Sequence, residues 1–166
     1  MIDQNSTPDE IEAYKAELTS AAEKLDANSR EHILTRAMAE GWSPSQAKWL
    51  DVIAKQPLFQ AVADGTPVLE ALEQAYGEAR RTLTTGYFNN ALDEGKNRFS
   101  AFLTVVDLEK QLAGRRGEAP PAYPDDILLE ACRAVETAAT ERGLPSEDQI
   151  STGFAVIREL SAHATN

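Results

Sequence analysis

Residues Gly41 to Asp51 read GWSPSQAKWLD. The stretch contains the end of one helix and the start of another. Gly41 accepts the left-handed conformation of a helix terminus, Ser43 stands as an N-cap, Pro44 fits the first turn, and Gln46 is placed to reach back to the cap. Two helices joined so tightly form either an architectural corner or a helix-turn-helix that enters a DNA groove.

The same punctuation recurs on both sides. Thr7-Pro8-Asp9-Glu10 predicts a helix from Pro8 to Asp26, with Ile11, Tyr14, Leu18, Ala21, Ala22 and Leu25 on one stripe. Asn28 with Glu31 predicts a second helix, carrying Ile33, Leu34, Ala37 and Met38 and ending at Gly41. The helix after Ser43 is expected to bury Ala47, Leu50, Ile53 and Ala54 and to stop at Gln56-Pro57. A short helical turn is expected at Leu58 to Ala63, and Thr66-Pro67 restarts the chain. The next face holds Val68, Leu69, Leu72, Ala75, Tyr76, Ala79 and Leu83. Thr84, Thr85 and Gly86 weaken that helix, so Tyr87 to Glu94 either continues it or stands apart. Beyond Gly95, residues Phe99, Phe102, Leu103, Val106, Leu108 and Leu112 form the most apolar helix, expected at the centre of the core.

Composition changes at Ala113 to Pro124, AGRRGEAPPAYP, whose glycines and prolines predict a linker. Past it, one helix is expected from Asp125 to Arg142 and another is capped by a Ser146 to Gln149 box. No stretch sustains strand alternation. The expected fold is all-α, an irregular multi-helix bundle of about seven to eight helices by these start and stop signals. Its expected organisation is a helical bundle domain over 1–112, a linker over 113–124, and a C-terminal helical hairpin over 125–166, packed on the bundle.

The 166 residues include 27 acidic and 16 basic side chains, a net charge of −11. That balance repels nucleic acid and anionic membrane from most of the surface, so direct nucleic-acid binding and membrane binding are not expected. Cys132 is the only cysteine, which is compatible with a reducing compartment. The start MIDQNSTPDE has neither the basic region nor the apolar run of a secretory signal, and a cytoplasmic location is the expectation.

Chemistry has few carriers. His32 and His163 are the only histidines, each read as an ordinary helical side chain, and Cys132 falls on an apolar helix face as a small buried hydrophobe. Carboxylate pairs such as Glu70 with Glu73 lack the Glu-x-x-His pattern of a di-metal bundle site. Gly114-Arg115-Arg116-Gly117 lacks the lysine and spacing of a phosphate loop. Pro120-Pro121-Ala122-Tyr123 matches the short ligand of WW-type domains, and is read first as a semi-rigid spacer. No catalytic residue, cofactor or metal is expected.

The expected function is therefore non-enzymatic: an acidic helical adaptor, regulator or inhibitor that binds another protein, basic or nucleic-acid-handling, in one variant by mimicking a nucleic-acid backbone. Self-association through an apolar stripe is a further expectation. Candidate partner contacts are Trp42, Trp49, Arg115 and Arg116, because aromatic and arginine side chains anchor interfaces. The alternative is a helix-turn-helix DNA binder using the helix pair 29–55, with Ser45, Gln46 and Lys48 at the groove. Residues 28–57 carry a local net charge of +1, from Arg30, Arg36, Lys48 and Lys55 against Glu31, Glu40 and Asp51.

Overall fold

Thr7 and Glu10 open the first helix reciprocally. The Thr7 hydroxyl accepts the Glu10 N–H at 3.3 Å, and the Glu10 carboxylate accepts the Thr7 N–H at 2.7 Å. The computed structural model describes residues 5–164, which form six α-helices and, among the described residues, no strand. They are α1 (Pro8–Glu40), α2 (Pro44–Ala63), α3 (Val68–Asp93), α4 (Arg98–Arg115), α5 (Asp125–Thr140) and α6 (Ser146–Ala164). The all-α expectation holds. The polar start at Met1 to Gln4 and the last two residues of the expected C-terminal segment lie outside the described residues.

Six helices form, rather than seven or eight, because the chain passes helically through two expected interruptions and through the weakened stretch at Thr84 to Gly86. Asn28 does not cap a second helix, and Ser29 turns its hydroxyl back to the Asp26 carbonyl at 2.9 Å within a continuous α1. No glycine or proline interrupts residues 9–40, so nothing forces a stop there. Pro57 lies inside α2. Its missing N–H and ring clash cost about 3 kcal/mol in a helix interior. Burying Leu58 beside Ala54 and packing Ala61 and Val62 on the same core offset that cost. Helix α3 likewise runs through Gly86 because Phe88 and Ala91 are buried beyond it.

Two further boundaries differ from the expected ones. Ala113 to Arg115 belong to α4, since Leu112 and Ala113 are buried and Arg115 is anchored to the α1 end, so the irregular segment begins at Arg116. At α6 the capping box is not formed. The Pro145 carbonyl accepts the Gln149 N–H at 3.0 Å, Ser146 donates to Asn89, and the Gln149 amide donates to the Leu144 carbonyl.

Two apolar clusters share α3 and α4. One joins Ile33 and Ala37 of α1, Leu50 and Leu58 of α2, Leu72 and Tyr76 of α3, and Leu108 and Leu112 of α4. The other joins Phe88 at the far end of α3, Phe102 and Val105 at the start of α4, Cys132 and Val135 of α5, and Ile150 and Ile157 of α6. Helices α3 and α4 are thus a spine, with α1 and α2 packed at one end and α5 and α6 at the other.

Candidate functional site

The Gly41 corner is closed by backbone and side-chain bonds together. Gly41 adopts φ 96°, its N–H meets the Met38 carbonyl, and the Trp42 N–H meets the Ala37 carbonyl, both at 3.1 Å. The Ser43–Gln46 capping box forms on the next helix, at 2.9 and 3.2 Å. Arg115 donates to the Gly41 carbonyl at 3.2 Å and Arg116 to the Glu40 carbonyl at 2.9 Å, so two acceptors at the end of α1 are satisfied from the end of α4.

The crossing of α1 and α2 is settled away from the corner. Arg30 Nε lies 3.3 Å from Asp51 Oδ2. Lys55 bonds Asp26. Asp26 and Lys55 each stand about 20 Å of helix away from the turn. Helices that diverged at the 90–120° of a helix-turn-helix would be far apart at that distance. Helices α1 and α2 instead run side by side as an antiparallel hairpin.

The candidate contact residues separate into two groups. Trp42 is only 2 % exposed, with the Arg80 guanidinium 5.9 Å from its ring centre. Arg115 and Gln46 bond one another at 3.0 Å, and Gln46 also donates to the Tyr87 hydroxyl at 2.8 Å. Trp42, Gln46, Arg115 and Arg116 therefore converge on the corner and close it. Ser45, Lys48 and Trp49 are exposed, and at helical spacing they form an outward face of α2 with Val52. Trp49 is 60 % exposed.

Beneath the corner lies a charge network that the sequence did not point to. Glu40 accepts from the Tyr76 hydroxyl at 2.7 Å and from Arg80 Nε at 3.2 Å, and pairs with Arg36 at 3.3 Å. Arg80 continues to both oxygens of Glu109, at 3.1 and 3.2 Å. Burial pushes the Glu40 carboxyl up, but the Tyr76 hydrogen bond and the Arg80 and Arg36 charges outweigh it and hold its pKa below the ordinary 4.5. A carboxylate with a depressed folded-state pKa contributes stability above its unfolded value and loses it as the pH falls through the folded one. Stability is therefore expected to fall below pH 4.5. Glu40→Gln should lower the urea midpoint at neutral pH and flatten that acid limb; an unchanged acid limb would contradict the assignment.

A second feature is the first half of α1. Residues 8–24 are exposed throughout, except for the half-buried Ile11. Leu25 is the first residue of α1 to pack on the core. About 25 Å of helix thus stands beyond the bundle as an arm. Ile11, Tyr14, Leu18 and Ala21 recur at spacings of three and four along it and continue to Leu25, and Leu18 is 52 % exposed. Five carboxylates, Asp9, Glu10, Glu12, Glu17 and Glu23, accompany two lysines, Lys15 and Lys24, giving the arm a net charge of −3. Only Lys15 and Glu12 of these seven form an ion pair among the described residues.

The remaining chemistry-bearing side chains are dispersed. Cys132 is buried, and desolvation pushes its thiol up to about 11. His32 meets Glu73 across α1 and α3 at 3.3 Å. Among the described residues no three His, Cys, Asp or Glu side chains cluster as metal ligands, and no helix is long and apolar enough to cross a membrane. Tyr123 of the proline-rich stretch packs on the second core cluster. No protein-family model matches the chain, and no curated protein or solved structure gives a significant match to it.

Proposed function

We propose that the protein is a non-enzymatic adaptor or regulator that captures a basic amphipathic helix of another protein on the α1 arm. The observation that carries this reading is the arm itself, an apolar stripe with acidic flanks that the described residues leave exposed apart from the half-buried Ile11. The arm gains no stability from packing on the bundle, so a partner that covers the stripe also stabilises the helix it binds. Charge selects the partner. A second copy would bring −11 against −11 and an arm of −3 against another, whereas a lysine-rich helix meets attraction on both flanks. Trp49 and Val52 form a separate, smaller apolar patch on α2.

The test uses a designed peptide of about 18 residues, the length that spans the arm, with leucine at heptad core positions and lysine on its flanks. The full chain is expected to bind it with an affinity that falls as salt rises, and Leu18→Glu should weaken binding at least about tenfold by placing a charge in the apolar seam. Trp49→Ala should change this affinity by less than about twofold, because the peptide covers the arm alone. Equal affinity for a glutamate-flanked peptide would overturn the reading. So would a dimer, seen by sedimentation, that Leu18→Glu disperses.

A further inference from the structure

Helices α3, α4 and α6 and the irregular segment after Arg116 enclose a cleft of about 670 Å³. Small-molecule sites commonly occupy roughly 300–1,000 Å³ and combine apolar walls with a few convergent polar groups. Here Ile150 and Phe154 of α6 and Tyr123 of the irregular segment line the cleft. Tyr123 and Phe154 pack on the second core cluster, so these walls are fixed by the fold.

The polar lining is unusual for this chain. Arg80, Arg81, Arg116 and Arg158 border the cleft with Glu109, Glu118 and Glu147, leaving one excess positive charge in a molecule of net −11. Arg80 pairs with Glu109 at 3.1 Å, Arg81 with Glu147 at 3.2 Å and Arg116 with Glu118 at 2.8 Å. Arg158 alone of the four has no carboxylate partner among the described residues. Thr84 also lines the cleft. It is 7 % exposed, and its buried Oγ1 has no hydrogen-bond partner among the described residues. That oxygen has no surface open to the cleft.

The geometry points to a binding site for a small monocarboxylate with an aromatic or aliphatic body. Its carboxylate would take the fork of Arg158, and its body would lie against Ile150, Phe154 and Tyr123. A planar guanidinium matches a carboxylate with two parallel bonds. One excess cation balances one negative charge, whereas the dianion of a phosphate monoester would bring one charge more than the lining offsets. This site is separate from the α1 arm and does not depend on the docking role assigned to it.

The probe is 4-phenylbutyrate, with 4-phenylbutanol as its neutral counterpart, followed by amide chemical-shift titration and calorimetry on the full chain. The carboxylate is expected to perturb residues 80–85, 116–123 and 147–158 and to bind at least about tenfold more tightly than the alcohol, the loss expected for one charge-assisted hydrogen bond. Arg158→Gln should remove about the same factor. Equal binding of acid and alcohol, wild-type affinity in Arg158→Gln, no detectable binding, or perturbations confined to other surfaces would overturn the assignment.

Discussion

Gly41→Ala is expected to cost about 4 kcal/mol or more, a large part of the roughly 5–15 kcal/mol that holds a domain of this kind together. Two penalties combine. Alanine at φ 96° pays roughly 1–2 kcal/mol for the left-handed conformation. Its Cβ would also stand 2.3 Å from the Leu112 carbonyl oxygen, a backbone atom that cannot rotate away. The α1 end and the α4 end must separate, and the bonds from Arg115 to the Gly41 carbonyl and from Arg116 to the Glu40 carbonyl go with them. Urea denaturation followed by circular dichroism measures the loss. A cost below about 1 kcal/mol would mean that the two helix ends do not meet so closely.

Gly153→Ala is expected to cost about 2–3 kcal/mol from the opposite end of the molecule. Here the backbone is helical, and alanine would favour the helix by about 1 kcal/mol if space allowed. Space is absent: the new Cβ meets two ring carbons of Phe102 at 2.6 Å and Val135 Cγ2 at 2.7 Å. Phe102 and Val135 are fully buried, so the strain falls on a packed interior. Phe102→Leu should rescue part of the loss, and a double-mutant cycle between the two positions should give a coupling of about 1 kcal/mol or more. Because α3 and α4 serve both clusters, the Gly41 and Gly153 variants should each move one common unfolding transition.

What the sequence made legible is what the chain decides locally. The Thr7 and Ser43 caps and the Gly41 terminus are read within four residues, and each forms as expected. The helix continuations through Pro57 and Gly86 were not legible, because each rests on burial of residues such as Leu58 and Phe88 against distant elements. Helix propensity is a weak prior beside that burial. The roles of Arg115 and Arg116 were hidden for the same reason, since their acceptors at Gly41 and Glu40 lie more than 70 residues away.

The two tryptophans make the same point on one corner. Trp42 and Trp49 look alike in sequence, yet the first is enclosed between Arg80 and the hairpin while the second faces solvent. The apolar stripe from Ile11 to Leu25 was visible, but its exposure was not: periodicity shows that a face exists and says nothing about what covers it.

Amide hydrogen exchange of the full chain, with and without the lysine-flanked peptide, tests the docking role of the arm most directly. Weak protection of residues 11–24 is expected in the free protein, with a gain of about a hundredfold when the peptide is bound and little change over residues 33–50, which are already packed in the bundle. Strong protection of the arm in the free protein, or no gain on adding peptide, would contradict that role.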